Sequence, residues 1–307
     1  MNKGLSKGLN RFFGQFASTE ELVDGLIQSK SHPQEILILL CSRIDALASG
    51  AAREEESSGR SFTGFVTTYS GKSKLFDCIS ASDLYYELDY HLWLMPGMLE
   101  KAGRLHVFSR LNEPILKLLV ESEIALTLED AKGLIKKIQH ALRKHFHVAP
   151  NQHQGKRALA SADRIKQAIL DEFSGRRSRI NKDALRKALD PLVNSKSLAR
   201  ILYERFRCEA IHGGRVLIED VRFFAEKEPY WKPMYSEFYG PFQLIEFPAQ
   251  FLALLLADCI RNYRKGLEAK GKVPPNVHFE MFPDDPLGHS DLLDETFLPS
   301  GRVAVPK

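Results

Sequence analysis

Apolar residues recur along most of the chain at three- and four-residue intervals, the spacing that lines one face of an α-helix. The clearest stretch opens at Pro33, where proline stands at the first helical position and its missing N–H costs nothing. Leu37, Leu40, Cys41, Ile44, Leu47 and Ala48 form its buried stripe, and Asp45 beside them needs a partner if it is covered. Upstream, Ser18-Thr19-Glu20-Glu21 reads as a capping box opening a short helix to about Ser29. The polar run Ala51 to Arg60 reads as a loop. Phe62, Phe65, Val66 and Tyr69 mark the next helix. Ser80 or Ser82 caps another through Leu84, Tyr85, Leu88 and Leu92, broken by Pro96-Gly97. Val107 to Glu123 has no decisive period. Helical patterns return over Leu128 to Phe146, Ala158 to Phe173 and Lys182 to Leu189. Asn194 or Ser195 caps a helix through His212, stopped by Gly213-Gly214. Pro248 opens the last long helix, with Phe251, Leu254, Leu255, Asp258, Cys259 and Asn262 along one side. The pattern predicts an all-α bundle without internal repeats.

Composition adds little until charge is mapped. The 307 residues, 44% hydrophobic and 27% charged, suffice for a full core and argue against disorder. A net charge of +4 excludes a polycation, but its distribution is uneven. Ala131 to Asp190 holds 15 Lys and Arg against five acids, so the remainder of the chain is acidic. That asymmetry predicts a basic helical insertion, at about residues 98–190, in a bundle spanning 30–266. Residues 1–29 form an N-terminal arm with its short helix, and 267–307 a proline-rich acidic C-terminal arm. The basic segment has the electrostatic footprint of a nucleic-acid binder. Lys136, Lys137, Arg143, Lys144, Lys156, Arg157, Arg176, Arg177 and Arg179 are the candidate RNA-binding residues; solvated helix faces are the plainer account.

Cys41, Cys78, Cys208 and Cys259 are widely spaced and suit neither a zinc site nor a disulfide framework, which fits a reducing compartment. No signal-peptide core, membrane-length apolar run, phosphate loop or metal-ligand spacing is present, so a cytoplasmic protein without cofactor or metal is expected. Phe223 to Phe242 concentrates eight of the 30 aromatic residues, enough to stack unpaired bases or, more simply, to pack a connection or subunit interface.

One short segment carries candidate chemistry: Tyr203-Glu204-Arg205-Phe206-Arg207-Cys208-Glu209-Ala210-Ile211-His212-Gly213-Gly214. RNA cleavage needs a base for the 2′-hydroxyl, an acid for the leaving 5′-oxygen and cations for the phosphorane. Histidine titrates near neutrality and serves the first two roles; arginine stays charged and grips phosphate oxygens. The segment resembles the HEPN superfamily of helical-bundle proteins, many of them metal-independent ribonucleases, whose signature is arginine, four to six residues, then histidine. Arg207 and His212 fit with four intervening residues, and Arg205 fits with six. On an ideal α-helix Arg205 lies ~20° and Arg207 ~140° from His212. Arg207 is taken first because the shorter spacing is commoner in that family, and Arg205 second.

The resemblance implies a HEPN-like bundle and a homodimer meeting at the motif helix, with RNA, tRNA included, as substrate. It also implies 2′,3′-cyclic phosphate products and a place among toxins or phage-defence effectors, with an antitoxin or activator as further partner. The alternatives are a non-catalytic HEPN-like module that binds RNA, nucleotide or protein, or a DNA-binding regulator. In a purely structural role, His212 would cap a carbonyl or bond Asp45 while the arginines made surface ion pairs.

Overall fold

A computed structural model describes residues 3–52, 57–90, 128–148, 158–174, 182–213, 222–236 and 240–274; within these, the side chains of 3–4, 18–20, 128–131, 209–213, 236 and 240–242 lie outside the description. The described chain is mostly helical, with two small two-stranded sheets, in keeping with the all-α bundle expected.

Burial explains the first departure from expectation. Helix α1 runs unbroken over Lys3–Ser29. Leu9, Phe12, Phe13 and Phe16 are buried along its first half, and Val23 and Ile27 along its second. Packing of these residues outweighs the local capping signal at Ser18, because inside a continuous helix there are no orphan amides to cap. Helix α2 (Pro33–Ala51) begins at the proline as predicted, and its whole apolar stripe is buried. Helix α3 (Ser58–Tyr69) starts inside the stretch read as a loop. Gly59 lies close to the π-helix there: a Cβ would meet the Tyr203 ring and the tip of Arg200 at 3.0 Å, and both side chains would have to shift.

After the short α4 (Ser73–Phe76), strand β1 (Cys78–Ser80) leads into α5 (residues 81–90). Ser80, not Ser82, caps α5: its hydroxyl accepts from the Asp83 amide. Helix α6 (Leu128–Phe146) matches its predicted bounds. The next element, read as one helix from Ala158, opens with strand β2 (Leu159–Ser161), antiparallel to β1, and continues as α7 (Ala162–Glu172) capped by Ser161. Helix α8 (Lys182–Asn194) continues through Pro191, past its expected end at Leu189. The proline removes a backbone bond, but Leu192 and Val193 beyond it are fully buried and hold the last turn.

Ser197, rather than Asn194 or Ser195, caps the short α9 (Leu198–Ile201), its hydroxyl accepting from the Arg200 amide at 3.2 Å. The chain then winds as a π-helix, Leu202–Gly213. Helix α10 (Arg222–Ala225) precedes a hairpin of β3 (Tyr230–Ser236) and β4 (Gly240–Glu246), in register from Tyr230 opposite Glu246 to Ser236 opposite Gly240. The aromatic-rich connection is thus largely a β-hairpin, which the helical reading missed. Helix α11 (Ala249–Lys270) follows Pro248 and ends on Gly271, whose φ of 60° is the left-handed conformation that closes a helix. Leu254 departs from its expected face and is 53% exposed, while Phe251, Leu255 and Cys259 are buried.

Two hydrophobic cores result. The first joins α1, α2, α3, the π-helix and α11 around Leu37, Phe62, Phe206 and Leu255. The second gathers α5, α6, α7 and α8 around Ile138, Ile165 and Leu189. Its residues run from Ile79 to Val193, so it begins upstream of the expected boundary near 98. The chain enters and leaves this second lobe at one seam, where Ile79 bridges Ser197 and the Ser80 amide donates to the Lys196 carbonyl at 2.9 Å. The acidic C-terminal arm from residue 275 lies outside the described residues. Among the described residues no helix is long and apolar enough to cross a membrane.

Candidate active site

The π-helix lies between the two cores, with Leu202 and Phe206 buried in the first. Phe206 meets Phe247 edge to face at 5.1 Å, which anchors the helix against the start of α11. Arg205 and Arg207, flanking Phe206, leave opposite sides of the helix and reach different acids.

Arg207 turns toward α2, where its Nη2 donates to Asp45 Oδ2 at 2.7 Å. Both side chains are largely covered, 12% and 19% exposed. This is the partner that Asp45 needs; the carboxylate meets Arg207, and the pair is internal rather than a surface bridge. The Asp45 hydrogen bond raises the Arg207 pKa against the opposing effect of burial, so the guanidinium is held charged. Its cationic plane lies 5.3 Å from the Tyr203 ring centre. Tyr203 is fixed in turn by Phe62 at 5.5 Å and by a 2.9 Å hydrogen bond between its hydroxyl and that of Ser58. Burial, with Asp45 adding to it, pushes the neighbouring Cys41 thiol up to about 12, so Cys41 is a protonated packing residue at neutral pH.

Arg205 turns toward the second lobe. Its Nη1 donates to Asp83 Oδ1 at 2.7 Å and its Nη2 to the Ile245 carbonyl. Asp83, only 5% exposed, also accepts from the Ser80 hydroxyl. Trp231 Nε1 donates to Ser82 Oγ at 3.2 Å from the hairpin side. Arg205 therefore ties the π-helix, the first turn of α5 and the hairpin into one polar joint. Sequence reasoning overlooked Asp83; the signal was its position three residues after the capping Ser80.

The winding changes the geometry of the motif. In an i→i+5 ladder, positions 207 and 212 are one hydrogen-bonded turn apart on one side of the helix, whereas α-helical winding separates them. His212 occupies the last turn; its side chain lies outside the description.

Of the candidate RNA-binding residues, Lys136, Lys137, Arg143 and Lys144 share the outer face of α6 in the second lobe. Lys137 lies over Phe173, Arg143 over Tyr85 with a hydrogen bond to its hydroxyl, and Lys144 pairs with Glu172 at 2.6 Å. Lys156, Arg157, Arg176, Arg177 and Arg179 lie outside the described residues. The basic face of α6 belongs to the second core, while the motif helix is anchored in the first. No group of three or more His, Cys, Asp or Glu placed to hold a metal occurs among the described residues. No protein-family model, curated protein or solved structure matches the chain significantly.

Proposed function

We propose that the chain is a metal-independent endoribonuclease of the HEPN type. The observation that carries this reading is Arg207: a guanidinium oriented by Asp45 and Tyr203, one π-turn before the position of His212. In the reaction the 2′-oxygen forms a bond to the adjacent phosphorus as its proton passes to one His212. The bond from phosphorus to the 5′-oxygen breaks, and a second His212, from the partner of a homodimer meeting at the motif helix, protonates the leaving oxygen. The Arg207 guanidinium stabilises the negative charge that builds on the phosphorane oxygens. The products end in 2′,3′-cyclic phosphate and 5′-hydroxyl, and no metal enters the step. The basic face of α6 holds the RNA backbone. Such an enzyme acts in the cytoplasm, as a toxin or defence effector whose overproduction is harmful to its cell.

The test is incubation of the purified chain with total RNA and tRNA in EDTA, beside His212→Ala, Arg207→Ala and Arg205→Ala. The reading expects cleavage that His212→Ala abolishes and Arg207→Ala lowers at least ~100-fold, the order found for a lost oxyanion donor. Arg205→Ala is expected to act through stability alone. Cleavage that persists at full rate in His212→Ala contradicts the proposal.

A second reading has its own support. Both motif arginines are engaged in internal ion pairs, which is what a non-catalytic HEPN-like module binding RNA, nucleotide or protein would show. It predicts the same fold with no product, and Arg207 and Asp45 substitutions that lower stability while leaving RNA retention unchanged.

A further inference from the structure

A cavity of about 300 Å³ opens at the seam between the lobes, on the side of the π-helix that carries Arg205. Helix α5 contributes Tyr86, Glu87 and Tyr90, the π-helix contributes Glu204 and Arg205, and Lys196 lines it from the turn before Ser197. Tyr86 is buried, while Tyr90, one turn further along α5, is 44% exposed. An aromatic wall therefore begins in the interior and ends at the mouth.

The charges are matched in pairs. Lys196 meets Glu87, Arg205 meets Asp83 at 2.7 Å, and Glu204 holds Arg200 at 2.6 Å. A phosphate entering here would face three carboxylates and find each cation already neutralised, so the cavity is a poor anion site. A flat, uncharged ring suits it better. Such a ring stacks on a tyrosine face, and a carboxylate has several acceptor sites, so one ion pair does not exhaust it. Lys196 offers three donors to a ring acceptor.

Adenine and cytosine also carry a donor and an acceptor, but among nucleobases guanine sets a two-donor edge beside a two-acceptor edge. Its N1–H and N2 amino group form a donor edge for a carboxylate, and O6 and N7 form an acceptor edge for a cation. We propose that this cavity binds guanine, with Tyr90 as the stacking face, Glu204 as acceptor for the donor edge and Lys196 as donor to the acceptor edge. The volume lies at the small end of ligand pockets, ~300 to 1,000 Å³, which fits one base rather than an oligonucleotide. As a substrate-selecting subsite it rests on the ribonuclease reading; as a base-binding site it does not.

The experiment is calorimetric titration of the full chain with guanosine, adenosine, cytidine and uridine, repeated with Tyr90→Ala, Glu204→Gln and His212→Ala. Tyr90 and Glu204 are both more than 40% exposed, so these substitutions spare the core. Guanosine is expected to bind saturably and at least about tenfold tighter than the other three nucleosides. Tyr90→Ala should weaken it by about tenfold, the scale of one lost base stack, Glu204→Gln by about tenfold, the scale of a hydrogen bond to a charged group, and His212→Ala should leave it unchanged. Guanosine 5′-monophosphate and a short single-stranded RNA with one guanine separate the two sources of the base: tighter binding of the RNA assigns the subsite to substrate, tighter binding of the mononucleotide to a free nucleotide. No saturable guanosine binding, equal affinity for all four nucleosides, or indifference to both Tyr90→Ala and Glu204→Gln overturns the proposal. Guanosine binding without any RNA cleavage would sink the ribonuclease reading alone, and cleavage without guanosine binding would sink the subsite alone.

Discussion

Arg207 and Asp45 are 162 positions apart in sequence, and that separation is why one half of the pair was legible and the other was not. A carboxylate beside a fully apolar helical stripe announces that it needs a partner. It does not say which group supplies one: His212 is the partner the sequence suggests, with the arginines in surface ion pairs, whereas the structure gives Arg207. Removing one member of a covered pair strands the other, so Asp45→Ala and Arg207→Ala should each cost about 3 kcal/mol in urea unfolding. The double variant should cost clearly less than the sum, because no stranded charge remains. Two independent, additive losses would show that the pair is not coupled. Arg205→Ala strands Asp83 in the same way and should destabilise the joint between the lobes by a similar amount. Burial also pushes the Cys41 and Cys259 thiols up to about 12. Both should resist a thiol reagent at pH 8 until the chain is unfolded; rapid labelling of either in the native protein would contradict the packing.

At the scale of elements, periodicity located most helices but could not say which core each one joins. The apolar face of α5 looks the same whether it packs on α2 or on α6; the pairing of β1 with β2 and the Arg143–Tyr85 and Gln139–Asp89 contacts commit it to the second lobe. Strands β1 and β2 are three residues long, too short for alternation to register, and the seven-residue β3 carries Pro233, which argues against a strand in sequence. Helix α1 was underestimated because a local cap signal at Ser18 competed with a buried stripe whose partners lie at the other end of the chain. Phe16 belongs to that stripe and is 1% exposed, so Phe16→Ala should cost about 3 to 5 kcal/mol. A loss below about 1 kcal/mol would mean that α1 is not part of the core. The winding of the π-helix left no signal in the spacing of apolar residues. Between α6 and α7, the Lys144 hydrogen bond holds the Glu172 carboxyl below the usual carboxylate range, with His140 and His145 helping and burial opposing. A carboxylate depressed in the folded state stabilises above its unfolded pKa, near 4.5, and that contribution is lost as pH falls through its lowered folded value. Glu172→Gln should therefore lower stability at pH 7 and lose less than the parent chain on acidification from pH 5 to pH 2; an identical acid profile would discount the pair.

On the scale of the whole molecule, charge and chemistry occupy different lobes that share one seam. The basic outer face of α6 belongs to the second core, the motif arginine Arg207 to the first, and Arg205 ties the motif helix to the joint between them. Charge asymmetry along the sequence disclosed the basic lobe; it could not disclose that the chain enters and leaves it at a single point. If α6 holds the RNA backbone, RNA affinity should fall steeply with salt, and Lys136→Glu with Lys137→Glu should weaken binding and flatten that dependence. Unchanged salt dependence in the double variant would place the RNA elsewhere. The most direct test of the central claim is the chemistry of the cut ends: a single-stranded RNA and its all-deoxy counterpart incubated with the chain in EDTA, with product termini identified by mass spectrometry. The account predicts 2′,3′-cyclic phosphate and 5′-hydroxyl ends from the RNA, none from His212→Ala and an intact DNA strand; cleavage of the DNA, or 5′-phosphate ends from the RNA, would contradict it.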